Sequence, residues 1–212
     1  MSRKSIVLRS RGFVETYSAV QEGLIYRLRH VLPVPVLLII ALWSRPAADS
    51  LWRGGICLVL GEFIRWWSAG HQPGLESLLE QGRLIAKGPY GLVRRPDAWG
   101  TLLVGLGIAV MSRWWPAYLL LAGIAAARVR FVHPVEDAKL RREYGEAYDA
   151  YCRAVPEYFP NASHLLGWYT KTRRRPREVE ERFSTRDALL AEGSMMMVLV
   201  GVVAAMFVQW LF

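Results

Sequence analysis

Five apolar blocks, separated by polar and turn-rich stretches, organise the chain. Val31 to Ser44 is the first. It is short for a helix crossing hydrocarbon, which takes about 20 residues, and Pro33 and Pro35 disturb its start. It is expected to span by recruiting Leu24 to His30, whose arginines reach the interface along their apolar stems. Leu51 to Gly70 is the second block and carries Glu62 and Arg65, three residues apart and so on one helix face, where they can pair. Ala98 to Ser112 and Trp114 to Val132 form a tight apolar hairpin around Ser112-Arg113-Trp114-Trp115-Pro116, with an aromatic pair at its tip. Ser194 to Phe212 is the last block, 19 residues without a charge.

Between the hairpin and that last block, His133 to Ala154 reads as one helix leaving the membrane. Pro134 suits its first turn, and Glu136-Asp137 suit the positive end of its dipole. Leu140, Tyr144, Tyr148 and Tyr151 recur at spacings of four, four and three, which gives one apolar-aromatic face. Such a face is commonly a core contact; beside a carboxylate pair it equally suits the wall of a cofactor pocket. Val155 to Pro160 ends the helix with two prolines, and Asn161-Ala162-Ser163 is a glycosylation sequon without meaning in the cytoplasm.

The pattern predicts an all-α fold, a polytopic membrane helix bundle of about five transmembrane helices with cytoplasmic helical segments. The expected divisions are a basic cytoplasmic arm at 1–30, with a surface helix around Val14 to Leu28, and a membrane core at 31–160. A charged cytoplasmic linker at 161–190 and a C-terminal transmembrane helix at 191–212 complete them. Composition agrees: hydrophobic residues are 53% and the net charge is +9, which beside apolar blocks suits cytoplasmic loops and anionic lipid headgroups rather than nucleic acid. The segments 1–30, 71–98 and 133–190 hold 6, 4 and 11 Lys/Arg, whereas the opposite loops hold only Arg45, Arg53 and Arg113. The positive-inside rule then places the N-terminus cytoplasmic in a cell or inner membrane and the C-terminus outside. Met1 to His30 lacks an apolar core of its own, so it is not read as a cleavable signal peptide. Cys57 and Cys152 are isolated, so neither a disulfide framework nor a metal site is expected. The sequence does not specify an oligomeric state.

Lys87 to Gly100 is a polar, turn-rich stretch between two apolar blocks, punctuated by Gly88-Pro89 and Arg95-Pro96. Adjacent arginines at the mouth of an apolar segment need partners, and Glu136-Asp137 at the end of the next hairpin are the expected ones. These residues carry a resemblance. Gly88-Pro89-Tyr90, Val93-Arg94-Arg95-Pro96 and Gly100, then Glu136-Asp137, Leu140, Tyr144-Gly145, Tyr148, Tyr151, Val155-Pro156 and Pro160, resemble the isoprenylcysteine carboxyl methyltransferase family, which is related to the phospholipid N-methyltransferases. Ile64 to His71 resembles the helix end that precedes the motif in bacterial members. The resemblance covers about Gly61 to Pro160. It implies S-adenosylmethionine as cofactor, bound between the cytosolic ends of the last core helices, and a lipidic substrate entering from the bilayer. Tyr90, Arg94, Pro96, Gly100 and Glu136 fall on the family's cofactor and catalytic positions. Three residues depart from its pattern: Arg95 stands where His or Asn is usual, Ala98 where Tyr is usual, and Asp137 where a second Glu is usual.

Methyl transfer from S-adenosylmethionine asks the protein mainly to orient the reactants and exclude water. Carboxylates suit the cofactor's cationic groups, an Arg suits a carboxylate, and aromatic side chains suit adenine and the methylsulfonium. The candidate catalytic residues are Arg94, Arg95 and Glu136. Cofactor contacts are expected from Tyr90, Pro96, Gly100, Glu136, Asp137 and Tyr148, and substrate contacts from Glu62, Arg65 and Arg95. Asp137 points about 100° from Glu136 on a helix, so it is expected to matter less. Arg95, always charged, is expected to find a new anionic partner: Asp97, Asp137, the methionyl carboxylate or a substrate phosphate. The acceptor is a lipidic or amphiphilic carboxylate, amine or thiol. The competing reading is a catalytically degenerate member of the same scaffold that binds lipid or a protein partner through its basic face.

Overall fold

The computed structural model describes residues 33–71, 88–160, 165–166 and 183–212, and among these the chain is helical with no strand. The N-terminal arm, the residues recruited before Pro33, the sequon and most of the charged linker lie outside the described residues. In chain order the helices are α1 (Pro33–Trp43), α2 (Ala48–Gly70), α3 (Pro96–Ser112), α4 (Pro116–Ala127), α5 (His133–Tyr144), α6 (Glu146–Ala154) and α7 (Thr185–Leu211). A 3₁₀ turn at Gly88–Gly91 precedes α3, and a π turn at Arg128–Val132 joins α4 to α5.

Small residues decide the main packing. Gly54 and Gly61 lie two turns apart on one face of α2, as Gly100 and Gly107 do on α3, and the two pairs oppose each other in antiparallel order. A β-carbon at Gly61 would stand 2.7 Å from the Gly100 carbonyl oxygen, and one at Gly107 2.6 Å from that of Gly54. The backbones therefore touch along this seam. The apolar core forms around it from Leu37 and Ile40 of α1, Val104 and Ile108 of α3, Ala117 of α4, and Leu199 and Met206 of α7.

At one end of the bundle polar ties close the loops. Arg45 N–H donates to the Ser112 carbonyl at 2.9 Å, Gln209 Nε2 donates to the Ala41 carbonyl at 3.0 Å, and Trp43 stacks on Trp114 at 6.3 Å. Arg113, at φ 51°, turns the α3–α4 hairpin where the sequence placed it. Outward faces are apolar: Leu42, Val59, Leu119, Met197 and Val200 are all exposed. Among the described residues, two helices, Pro116–Arg142 and Ala188–Leu211, are long and apolar enough to cross a membrane. α1 and α3 are apolar but shorter, and α2 has the length but carries Asp49, Arg53, Glu62 and Arg65.

Three elements differ from the expected ones. The second arm of the hairpin does not stop at Val132 but runs on through the π turn to Arg142. Pro134 has no N–H, and the wide turn just before it is where a helix can lose a bond without breaking. The helix expected from His133 to Ala154 is two helices, because Gly145 adopts φ 53° and ψ −129°, a conformation strained for any residue with a β-carbon. The last helix starts at Thr185, well before its apolar run, and Ser184 N–H binds the Gly70 carbonyl at 3.0 Å.

Candidate active site

The turn at Gly88–Gly91 is buried, and the two residues after Val93 pair with the segment that follows α6. Arg94 N–H donates to the Pro156 carbonyl at 2.9 Å and Arg95 N–H to that of Glu157 at 3.2 Å. Tyr151 donates its hydroxyl to the Tyr90 carbonyl at 2.8 Å, and Trp99 Nε1 donates to the Tyr158 carbonyl at 2.7 Å. These bonds lay Val155–Pro160 along the start of α3 and fix where both arginines emerge.

Arg95 is enclosed by acceptors. Its Nη1 donates to Glu136 at 2.7 Å, and its Nη2 to Asp137 at 2.6 Å and to the His133 carbonyl at 2.9 Å. Its Nε lies 3.3 Å from Glu157. A guanidinium has five N–H groups in a planar fork, and here the fork spans the first turn of α5 and the post-α6 segment at once. Burial works against its charge, but the bond to Glu136 and the field of Asp137 outweigh it and hold the Arg95 pKa above the usual arginine value. The expected anionic partner is therefore Asp137, together with Glu136 and Glu157. Asp97 is not a partner; it faces Arg128 at 3.6 Å.

Asp137 carries more than expected. Its Oδ1 accepts from both Arg95 and the Tyr148 hydroxyl, the latter at 2.8 Å. The 100° between neighbouring helical residues does not separate it from Glu136, because the guanidinium is wide enough to bridge both. Burial, then the bond to Asp137, drive the Tyr148 pKa up, so its hydroxyl stays a donor. Tyr90 is buried and pushed well above its ordinary value by burial and then by Asp97. Tyr148, Tyr151 and Val155, with Leu140 and Tyr144 beside them, form a small second core that backs the carboxylates.

Arg94 is differently placed. Its Nη1 lies 3.1 Å from Cys152 Sγ and its Nη2 3.6 Å from Glu157, and its buried Nε has no hydrogen-bond partner among the described residues. Among the described contacts, two arginines face three carboxylates, Glu136, Asp137 and Glu157. A donor without an acceptor beside an acidic cluster suits a ligand with both anionic and cationic groups.

Glu62 and Arg65 pair at 3.1 Å, as their spacing predicts, and Arg65 also binds Glu192 of α7. Their cluster adjoins the motif, since a β-carbon on Gly100 would stand 2.5 Å from Arg65 Cγ. Gly100 itself sits in the α2–α3 seam, and Pro96 opens α3 at its first position. The structure thus gathers Tyr90, Arg94, Arg95, Glu136, Asp137 and Tyr148 in one place and sets Glu62 and Arg65 on the far side of Gly100. Sequence reasoning missed Glu157 and Glu192. Glu157 sat in a segment read only as a helix stop, and Glu192 lies 127 residues from Arg65 with no local signal joining them.

A comparison with family models matches residues 50–147 to the phospholipid methyltransferase family, a stretch that holds both arginines and both carboxylates of the α5 turn. No curated protein and no solved structure matches the chain. Residues 50–147 are thus similar to the phospholipid methyltransferase family, in line with the family relationship that the motif residues imply.

Proposed function

We propose that the protein is an integral membrane methyltransferase that uses S-adenosylmethionine to methylate a lipidic or amphiphilic acceptor on the cytoplasmic face. The observation that carries this is the meeting, within the family-matched stretch, of Arg95 with Glu136 and Asp137, beside an Arg94 turned to Cys152 and Glu157. The donor set fits the cofactor: Arg94, with its buried Nε unpartnered among the described residues, suits the methionyl carboxylate, and the acidic cluster suits the cationic groups. Tyr90, Tyr144 and Tyr148 would wall the adenosine side. When bound, the cofactor supplies an activated methyl on a sulfonium, so no nucleophilic or metal assistance from the protein is needed.

Each residue then has a defined task. Arg95, its donors already engaged, holds Glu136 and Asp137 in place rather than reaching a substrate phosphate. Tyr148 orients Asp137, and the small aromatic core beneath excludes water. Glu62 and Arg65 stand on the side from which an acceptor would arrive, and their paired charges suit a polar headgroup. One observation favours the degenerate reading: Arg95 engages both carboxylates of the α5 turn.

Titration calorimetry on the purified protein separates the two readings. Wild type should bind S-adenosylmethionine, and Arg94→Gln should weaken that binding about tenfold or more, the usual worth of a charge-assisted hydrogen bond. Wild type silent even at millimolar cofactor supports the binding scaffold instead.

The topology proposed is about five spans, formed by α1, α2, α3, α4 and α7, with the arginine motif and the carboxylates inside. The antiparallel order of α2 and α3 and the polar ties at one end of the bundle support it. Reporter fusions after residues 80 and 165 should read cytoplasmic, and fusions at 48 or after 212 should not. An external signal at 165 would put the carboxylates in the wrong compartment and end this reading.

A further inference from the structure

The start of the C-terminal helix lies outside the family-matched residues, yet it grips both ends of the motif. At one end, the Phe183 ring covers Gly70 and packs on Trp66 at 4.5 Å and on His71 at 5.4 Å between ring centres. His71 donates its Nδ1–H to the Trp67 carbonyl at 2.8 Å, which fixes its ring. That ring lies against Gly88, where an added β-carbon would stand 2.6 Å from His71 Cδ2. At the other end, Glu192 binds Arg65, which also holds Glu62, and the Arg65 stem lies against Gly100. Arg65 and Glu192 are only 12% and 16% exposed, so this pair is shielded from the screening that weakens surface ion pairs.

We infer that residues 183–192 form a strap that positions the stretch from Gly88 to Gly100, with Glu192 as a positioning residue acting through Arg65 and Phe183 as one acting through His71. The inference rests on the methyltransferase reading for its consequence but not for its geometry. Glu192 touches neither arginine of the motif; its effect is to hold α3's first turn against α2 while Phe183 holds the turn that precedes it. The site is therefore incomplete without a segment that the family-matched region does not contain.

Hydrogen exchange with mass spectrometry on the full-length protein in lipid nanodiscs, paired with calorimetric binding of S-adenosylmethionine, tests this. In Glu192→Gln, amides of residues 88–100 should exchange about tenfold faster, while those of the hairpin turn at 112–118, at the opposite end of the bundle, keep their wild-type rates. Arg65→Lys, which cannot fork to both carboxylates, should show the same local signature, and Glu192→Asp should restore part of the protection. Cofactor affinity should fall in step with the local loosening. Local loosening in the variants alongside a wild type that binds no cofactor keeps the strap and removes the methyltransferase reading. Unchanged exchange at 88–100, equal acceleration at both ends, or loosening without any change in a measurable affinity overturns the positioning role.

Discussion

Arg95→Met should cost about 3 kcal/mol or more of stability, and it should do so without touching the apolar core of the bundle. The arginine is nearly buried, with a side chain 9% exposed, and it is the shared counterion of Glu136, Asp137 and Glu157. Methionine matches the stem and removes the charge, which leaves three carboxylates clustered around an apolar group. Those carboxylates are a quarter to a third exposed, so solvent takes up part of the cost, and the lower end of the range for broken buried pairs applies. The same change removes the donor that holds the His133 carbonyl, at the base of α5. Thermal unfolding in detergent measures the loss, and Arg95→Lys should fall between wild type and Met because one ammonium cannot reach all three anions. The compensating variant is the sharper check. Arg95→Met combined with Glu136→Gln and Asp137→Asn should recover much of the stability, since it removes the unpaired charges as well as their partner. A methionine variant that melts with wild type would show the cage to be ornamental.

How much of this was legible beforehand depends on the range of the signal. The α3–α4 hairpin was readable because its determinants are local: two apolar blocks, Arg113 at a left-handed turn and Pro116 at a helix start. The Glu62–Arg65 pair was readable because a spacing of three fixes it on one helix. The meeting of Arg95 with Glu136-Asp137 followed from the hairpin length, since a short connection returns the chain to the face it left, whereas Arg94 turns instead to Cys152 and Glu157. The division of labour between Arg94 and Arg95 was not readable. It depends on Glu157, placed by backbone bonds between the post-α6 segment and the arginines, and no periodicity reports such a pairing. Gly145 was hidden for a different reason: the tyrosine spacing continues across it as though the helix did, and both halves still pack into the same small core. Glu192 belongs to the same class as Glu157, a charge whose partner is chosen by packing between elements far apart in the chain.

The seam between α2 and α3 carries a second structural expectation. A β-carbon at Gly61 would stand 2.7 Å from both the Gly100 oxygen and the Val104 nitrogen, and one at Gly107 2.6 Å from the Gly54 oxygen and 2.8 Å from the Leu58 nitrogen. These neighbours are backbone atoms of the facing helix, which cannot rotate away as a side chain does, so the helices themselves must separate. Overpacking of a filled core costs about 1–3 kcal/mol, and a contact with rigid backbone belongs at the upper end. The two positions lie at different distances from the site, and that makes them informative as a pair. Gly61 faces Gly100, one turn from Arg65 and at the start of the helix that Arg95 caps; Gly107 faces Gly54, two turns nearer the Ser112 end. Gly61→Val and Gly107→Val should therefore lower the melting temperature to a similar degree, whereas Gly61→Val should also weaken S-adenosylmethionine binding at a temperature where both variants are folded. Equal melting with equal, wild-type-like affinity in both would mean that the spacing of α2 and α3 does not set the geometry of the arginine motif, and that the glycines serve packing alone.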